Sequence, residues 1–191
     1  MLIRLAVAIL ALVAVPAIAD DRIELAKAVA VYKDAFEARS ADDLVASLPQ
    51  PVVARLAKER GEAVALVAET LGRDLFGNIT VDAAKTVFDT APDGTEFGLV
   101  PIVQVTIRRD KDPLEVTRPV DGRMKRVKVV AEYTTTARAH VLGIRENGSW
   151  RLVSLAHADA VEAFMEAYPA FKDVPLPRVR AQMQAKSVIV E

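Results

Sequence analysis

The sequence contains no cysteine and only two histidines. The absence of cysteine excludes disulfides, thiolate zinc sites and cysteine nucleophiles. His140 and His157 show no paired ligand spacing, so we expect no metal site and no other cofactor. A phosphate-binding glycine loop and a serine nucleophile elbow are also missing from the sequence. No motif in the sequence therefore indicates a particular reaction.

The chain also lacks an excess of either charge, with 25 basic and 26 acidic residues. This balance gives no general attraction to nucleic acid, and no aromatic residues interleave with basic ones to hold bases, so we expect no nucleic-acid partner. The segment from Arg108 to Lys128 is locally basic, with eight bases and four acids. It could face anionic headgroups, polysaccharide or an acidic partner, but we interpret it as a solvated loop between strands.

The first 19 residues, "MLIRLAVAILALVAVPAIA", have the order of a cleavable secretory signal. Arg4 precedes an apolar run from Leu5 to Val15, and small residues lead to Ala19. The run is shorter than the ~20 residues of a spanning helix, so we expect no stable membrane span after cleavage. Cleavage after Ala19 would leave 172 of the 191 residues. We expect a periplasmic or secreted protein, and the absence of cysteine favours the periplasm.

Helical periodicity dominates the first half of the mature chain. Apolar residues recur at i, i+4, i+7 and i+11 along one stripe, formed by Leu25, Val29, Tyr32 and Phe36. Ser40 with Asp43 three residues later resembles a capping box that opens a second helix. Pro51 is suited to the first turn of a third helix.

A period of two dominates the second half. Alternating apolar residues predict strands near Ile79–Val87, Leu99–Ile107 and Val127–Val141. Asn147-Gly148 is a strong hairpin signal, which folds a last strand from Trp150 back onto the long strand. We therefore predict an α+β fold: N-terminal helices packed on the concave face of a strongly curved, cone-shaped antiparallel sheet.

The predicted domain spans residues 20–170, after the signal peptide at 1–19. Residues 171–191 are predicted as a C-terminal tail, either mobile or adding an edge strand at Ser187 to Val190.

Three stretches carry a resemblance to the nuclear-transport-factor-2-like (cystatin-like α+β) superfamily. They are "LAKAVAVYKDAFEARSADDLVASL", "RVKVVAEYTTTARAHVLGI" and the hairpin "RENGSWRLVSL". The resemblance covers roughly residues 22 to 168, and the segment from Asp110 to Lys125 looks like an insertion. The superfamily includes isomerases, dehydratases, small-molecule binders and scaffolding domains, so the resemblance implies a fold more than a function.

The first functional hypothesis is an exported, non-catalytic domain of the cell envelope. It would bind a small apolar ligand, or present its sheet to an envelope protein. The helix stripe facing the apolar strand face predicts a pocket lined by Tyr32, Phe36, Val103, Tyr133 and Thr135.

Two alternatives remain open. An isomerase or dehydratase would use a pocket carboxylate and a phenol, for which Asp89 and Tyr133 are the candidates. A scaffold would form a homodimer through the outer sheet face, which bears Glu132, Thr134, Thr136 and Arg138. For His157 we favour an ordinary polar residue at a strand–helix junction over a base or ligand.

Overall fold

A computed structural model describes residues 2–60 and 62–190, with side chains described for 20–58, 62–71 and 76–190. The five α-helices in these ranges are α1 (Leu2–Glu37), α2 (Ala41–Ser47), α3 (Gln50–Arg60), α4 (Ala63–Arg73) and α5 (Ala158–Ala167). Short 3-10 helices span Ala83–Lys85 and Pro169–Asp173.

Seven strands form one sheet in which every pairing is antiparallel. They are β1 (Asp74–Val81), β2 (Val87–Thr90), β3 (Glu96–Arg109), β4 (Leu114–Val120), β5 (Arg123–Glu146), β6 (Ser149–Ser154) and β7 (Arg180–Ile189). The prediction of helices followed by a large antiparallel sheet is thus confirmed. The single strand predicted at Ile79–Val87 is instead two strands, separated by a 3-10 turn that the buried Thr86 closes through its hydroxyl to Ala83 O, at 2.7 Å.

The central strand β5 is long enough to pair with four other strands. β3 and β4 follow one another along one edge of β5, and β7 and β6 follow one another along the other. The β4–β5 hairpin turns at Asp121-Gly122, where both residues have positive φ (52° and 75°). The basic segment from Arg108 to Lys128, predicted as a loop, therefore consists mainly of a paired hairpin.

The packing of α1 on the sheet depends on two glycines. Gly98 and Gly143 are opposed in the β3–β5 ladder, and a Cβ atom at either position would collide with the Leu25 side chain. Their missing side chains let α1 lie close to the strands, which buries Leu25 completely. Val29, Tyr32 and Phe36 continue this contact, as the helical stripe predicted.

The C-terminal end of α1 is tied to β1 by Glu37. Its carboxylate accepts hydrogen bonds from Asn78 Nδ2 at 2.8 Å and Ile79 N at 3.1 Å, and it pairs with Lys33 at 2.6 Å. The hydrogen bond from Lys33 is the largest cause of the lowered pKa of Glu37. This tie sets the position of Phe36 above the sheet.

The segment predicted as a tail packs on the domain. Phe171 is completely buried, and its ring contacts the rings of Phe97 and Phe164 at centroid distances of 5.2 and 4.9 Å. Farther on, β7 pairs with β5 over ten positions, from Arg180 opposite Arg138 to Ile189 opposite Val129. Residues 171–189 therefore complete the sheet and its far-side core.

The predicted signal peptide at 1–19 lies outside the residues whose side chains are described. Within the described part of the chain, no helix is long and apolar enough to span a membrane.

Candidate functional site

A cavity of about 290 Å³ lies between the helices and the turn that joins β6 to α5. Its lining is mostly apolar and comes from all four N-terminal helices: Phe36, Leu44, Leu48, Leu56, Val67 and Leu71. Polar side chains line it mainly from α1 and from the β6–α5 segment, namely Tyr32, Ser154, His157 and Asp159, and Thr70 lines it from α4. The cavity thus has an apolar interior with most of its polar groups on one side.

Tyr32 and Ser154 form a buried hydroxyl pair on this polar side. Their exposed fractions are 5% and 3%, and their side chains share a hydrogen bond. Burial raises the pKa of Tyr32 to about 12, although the bond to Ser154 acts in the opposite direction. Ser154 Oγ also accepts a hydrogen bond from Ala156 N at 3.3 Å. The phenol is therefore neutral at physiological pH and held in a fixed position.

His157 occupies the N-cap of α5, and its ring centroid lies 6.5 Å from that of Phe36. Burial lowers its pKa, and the nearby Asp159 carboxylate opposes this only partly. A neutral imidazole offers one hydrogen-bond donor and one acceptor. Asp159, in the first turn of α5, also lines the cavity.

These groups suit an apolar molecule that carries a single neutral polar group. A phenol, a hydroxyl and a neutral imidazole can bind a hydroxyl or carbonyl oxygen without burying a charge. The imidazole could also accept a proton from a bound molecule.

Two of the predicted pocket residues, Tyr32 and Phe36, lie together at this cavity. The other three lie elsewhere among the described residues. Val103 lines a groove on the opposite face of the sheet, and Tyr133 donates a hydrogen bond to Asp110 Oδ2 at 3.2 Å. Thr135 is opposed by Thr106 and Met183 within the ladders of β5.

The candidate catalytic pair of Asp89 and Tyr133 is not brought together. Asp89 is opposite Phe97, which is in turn opposite Ile144, eleven residues along β5 from Tyr133. At about 3.3 Å per residue this places the two side chains roughly 36 Å apart along the strand. Asp89 is exposed and accepts a hydrogen bond from Thr90 N at 2.8 Å.

Sequence reasoning missed His157 and Ser154 as cavity residues. The available signal was the position of His157 directly after the last strand of the hairpin, where the chain turns to begin α5. The sequence around His157 did not show that this turn faces α1.

Two further features considered in the sequence are a metal site and the outer face of the sheet. The described residues contain no group of three or more histidine, aspartate or glutamate side chains placed to hold a metal ion. On the outer sheet face, Glu132 is buried between Arg109 and Lys186, each at 2.7 Å. This carboxylate is therefore engaged within the chain, on the face predicted to form a homodimer.

Comparison with known proteins gives a loose likeness to solved structures. No protein-family model matches the chain, and no curated protein matches it. A solved structure from Streptomyces avermitilis, of a protein assigned as a dehydratase of the NTF2-like family, is similar over 70% of this chain and 92% of its own. The identity is 14% and the TM-score is 0.38. The loose resemblance predicted from the sequence is confirmed at that level, which says nothing of activity.

Proposed function

We propose that the protein binds a small, mainly apolar molecule in the cavity beneath its helices. The observation that carries this proposal is an apolar space of about 290 Å³ with Tyr32, Ser154 and His157 on one side. Ligand sites in proteins are typically largely apolar, with a few placed polar groups that fix orientation. The neutral state of the phenol and the imidazole favours an uncharged ligand.

The volume limits the size of this ligand. An apolar cavity of about 150 Å³ is known to hold benzene, so about twice that volume admits a molecule of one or two rings. The polar side favours a ring that bears a hydroxyl or a carbonyl group. The naphthalene ring system provides matched probes, because 2-naphthol and 2-methylnaphthalene differ mainly in the polar group.

Titration of 2-naphthol into the purified protein, followed by calorimetry, tests the proposal. We expect saturable binding with one site per chain. Val67→Phe extends a side chain into the cavity and should weaken binding roughly tenfold or more, since lost apolar contact of about 1.5 kcal/mol has that effect. Val87→Phe is the matched control, because Val87 is 59% exposed on β2.

The polar side of the cavity is tested by comparing the affinities of the two probes. Wild-type protein should prefer 2-naphthol to 2-methylnaphthalene, and Tyr32→Phe or His157→Gln should reduce this preference by about 0.5–1.5 kcal/mol. Absence of saturable binding by wild type would refute the proposal. Equal weakening by Val67→Phe and Val87→Phe would place the probe outside the cavity.

A second function is favoured by one observation, the lowered pKa of His157 at the cavity wall. We infer that a neutral imidazole there could serve as a general base on a bound ligand, beside the Tyr32 phenol. This enzyme candidate replaces the pair of Asp89 and Tyr133. Turnover of a cavity ligand that is lost in His157→Gln while its binding persists would support catalysis; turnover that survives in this variant would exclude it.

We also propose export to the cell envelope with cleavage after Ala19. The support is the order of Arg4, an apolar run and small residues before Ala19, together with the absence of cysteine. The described core contacts of α1 begin at Leu25, so cleavage would leave them in place. The mass and N-terminal sequence of the protein from its native host test this; an intact Met1 would contradict it.

A further inference from the structure

A second concave site lies on the sheet face opposite the cavity. It is a groove of about 710 Å³, and its floor is two rows of residues that run across the strands. One row consists of Thr80, Val103, Arg138 and Arg180, each opposed to the next in the ladders of β1, β3, β5 and β7. The other includes His140 opposite Pro101. Pro177 and Arg178, just before β7, form a wall.

The first row places two like charges directly opposite each other. Arg138 of β5 faces Arg180 of β7, and directly opposed residues in an antiparallel ladder have Cα atoms about 4.5–5.5 Å apart. Like charges at such positions destabilise a sheet. Arg178 lines the same groove, so three guanidinium groups are gathered there.

No acid within the described side chains forms an ion pair with Arg138, Arg178 or Arg180. The one carboxylate that lines the groove is Asp82, and it pairs with Lys85 at 2.6 Å. Among the described residues, the three arginines of the groove therefore have no acidic partner.

In another row of the same three strands, an acidic residue compensates the positive charges. There Glu132 of β5 stands between Arg109 of β3 and Lys186 of β7, with a distance of 2.7 Å to each. A carboxylate in the central strand thus neutralises two cations in its row. The row of Arg138 and Arg180 has the cations without the anion.

His140 adds an unfilled hydrogen-bonding position beside the arginines. Its Nδ1 atom is buried, and it has no hydrogen-bond partner among the described residues. Buried polar atoms in proteins are nearly always paired, so this atom indicates a partner beyond the described residues, either a water or a bound group.

We propose that this groove binds a small molecule with two or more anionic oxygen groups, either phosphate or carboxylate. Arginine guanidinium groups bind both kinds of anion through paired hydrogen bonds, and an anion between Arg138 and Arg180 would replace repulsion with attraction. The groove is open and larger than the cavity, so it has room for a molecule with more than one anionic group. The site is independent of the apolar cavity.

Calorimetric titration of the full chain at low ionic strength, with pyrophosphate, citrate and acetate as probes, tests the proposal. We expect one site per chain for pyrophosphate or citrate, and no saturable binding of acetate. The tighter of the two polyanions shows whether phosphate or carboxylate is preferred. Arg138→Gln or Arg180→Gln should weaken binding roughly tenfold or more, because each removes a charged hydrogen-bond donor.

Arg123→Gln is the matched control, since it removes the same charge from the exposed β4–β5 hairpin and should leave the affinity unchanged. Thermal unfolding without polyanion gives a second readout. Removal of repulsion should raise the melting temperature of Arg138→Gln, whereas the polyanion should no longer stabilise this variant. The proposal is overturned if neither polyanion binds, if Arg123→Gln weakens binding as much as Arg138→Gln, or if Arg138→Gln lowers the melting temperature.

Discussion

The cavity beneath the helices and the groove on the opposite face share strand β5 but differ in charge. Val141 contributes to the core beneath α1, whereas the preceding residue, His140, lines the groove, because successive side chains of a strand point to opposite faces. On the cavity side the hydroxyl groups of Tyr32 and Ser154 are buried and uncharged. On the groove side, three arginines are exposed and carry full charge.

The far face is itself divided into two parts. Near β6 it is covered by α5 and the 3-10 helix that follows, which bury Leu142 and Ile144 beneath Phe164 and Phe171. Near β7 no such cover is present among the described residues, and the face is polar. One strand therefore carries a sealed core at one end and an accessible polar surface at the other.

The largest effect on stability should come from removing a side chain that covers the far face near β6. Phe171→Ala removes a completely buried ring and should lower the free energy of unfolding by about 3–5 kcal/mol. Urea denaturation measures this loss, and Lys172→Ala, at an exposed neighbouring position, is the control. A loss below about 1 kcal/mol for Phe171→Ala would show that residues after 170 do not cover the sheet.

A smaller effect should distinguish a buried phenol from an exposed one. Tyr32→Phe removes the hydrogen bond to Ser154 and should lower the free energy of unfolding by about 1 kcal/mol. Tyr133→Phe removes the bond to Asp110 at a more exposed position and should change it by less than about 0.5 kcal/mol. Equal changes in the two variants would contradict the burial of Tyr32.

The smallest effect concerns pH. Burial lowers the pKa of His157 below its ordinary value of 6.5, so the unfolded chain takes up a proton at a higher pH than the folded protein does. Stability contributed by the neutral imidazole is therefore present above about pH 6.5 and is lost as the pH falls below it. Urea denaturation between pH 8 and pH 5 should show this decline, and His157→Gln should reduce its slope.

His140→Gln provides the comparison for this slope. Burial also lowers the pKa of His140, which is less deeply placed, so its removal should reduce the slope less. Glu37 and Glu132 have lowered pKa values, and their contributions are lost only at more acidic pH. An unchanged slope in His157→Gln would contradict a neutral, buried imidazole at the cavity.

Local patterns predicted the local parts of the fold. The stripe of Leu25, Val29, Tyr32 and Phe36 packs on the sheet, and Ser40 Oγ accepts from Asp43 N as the N-cap of α2. Asn147-Gly148 has the positive φ values of 51° and 79° that its hairpin requires. Asp121-Gly122 carries the same kind of hairpin signal, although the segment that contains it was predicted as a loop.

Features that depend on distant contacts could not be predicted in the same way. The place of Asp89 and Tyr133 depends on the register of β2, β3 and β5, which alternation alone does not fix. The extent of β7 depends on pairing with a strand about fifty residues earlier. His157 lines the cavity because α5 begins beside α1, and no local pattern around His157 records that contact.

A crystal structure of the protein with 2-naphthol tests the central claim most directly. We predict electron density for one probe between Phe36 and Val67, with its hydroxyl within hydrogen-bonding distance of Tyr32, Ser154 or His157. A cavity closed by its own side chains, with the probe only on exposed apolar residues such as Phe76 or Val87, would contradict it.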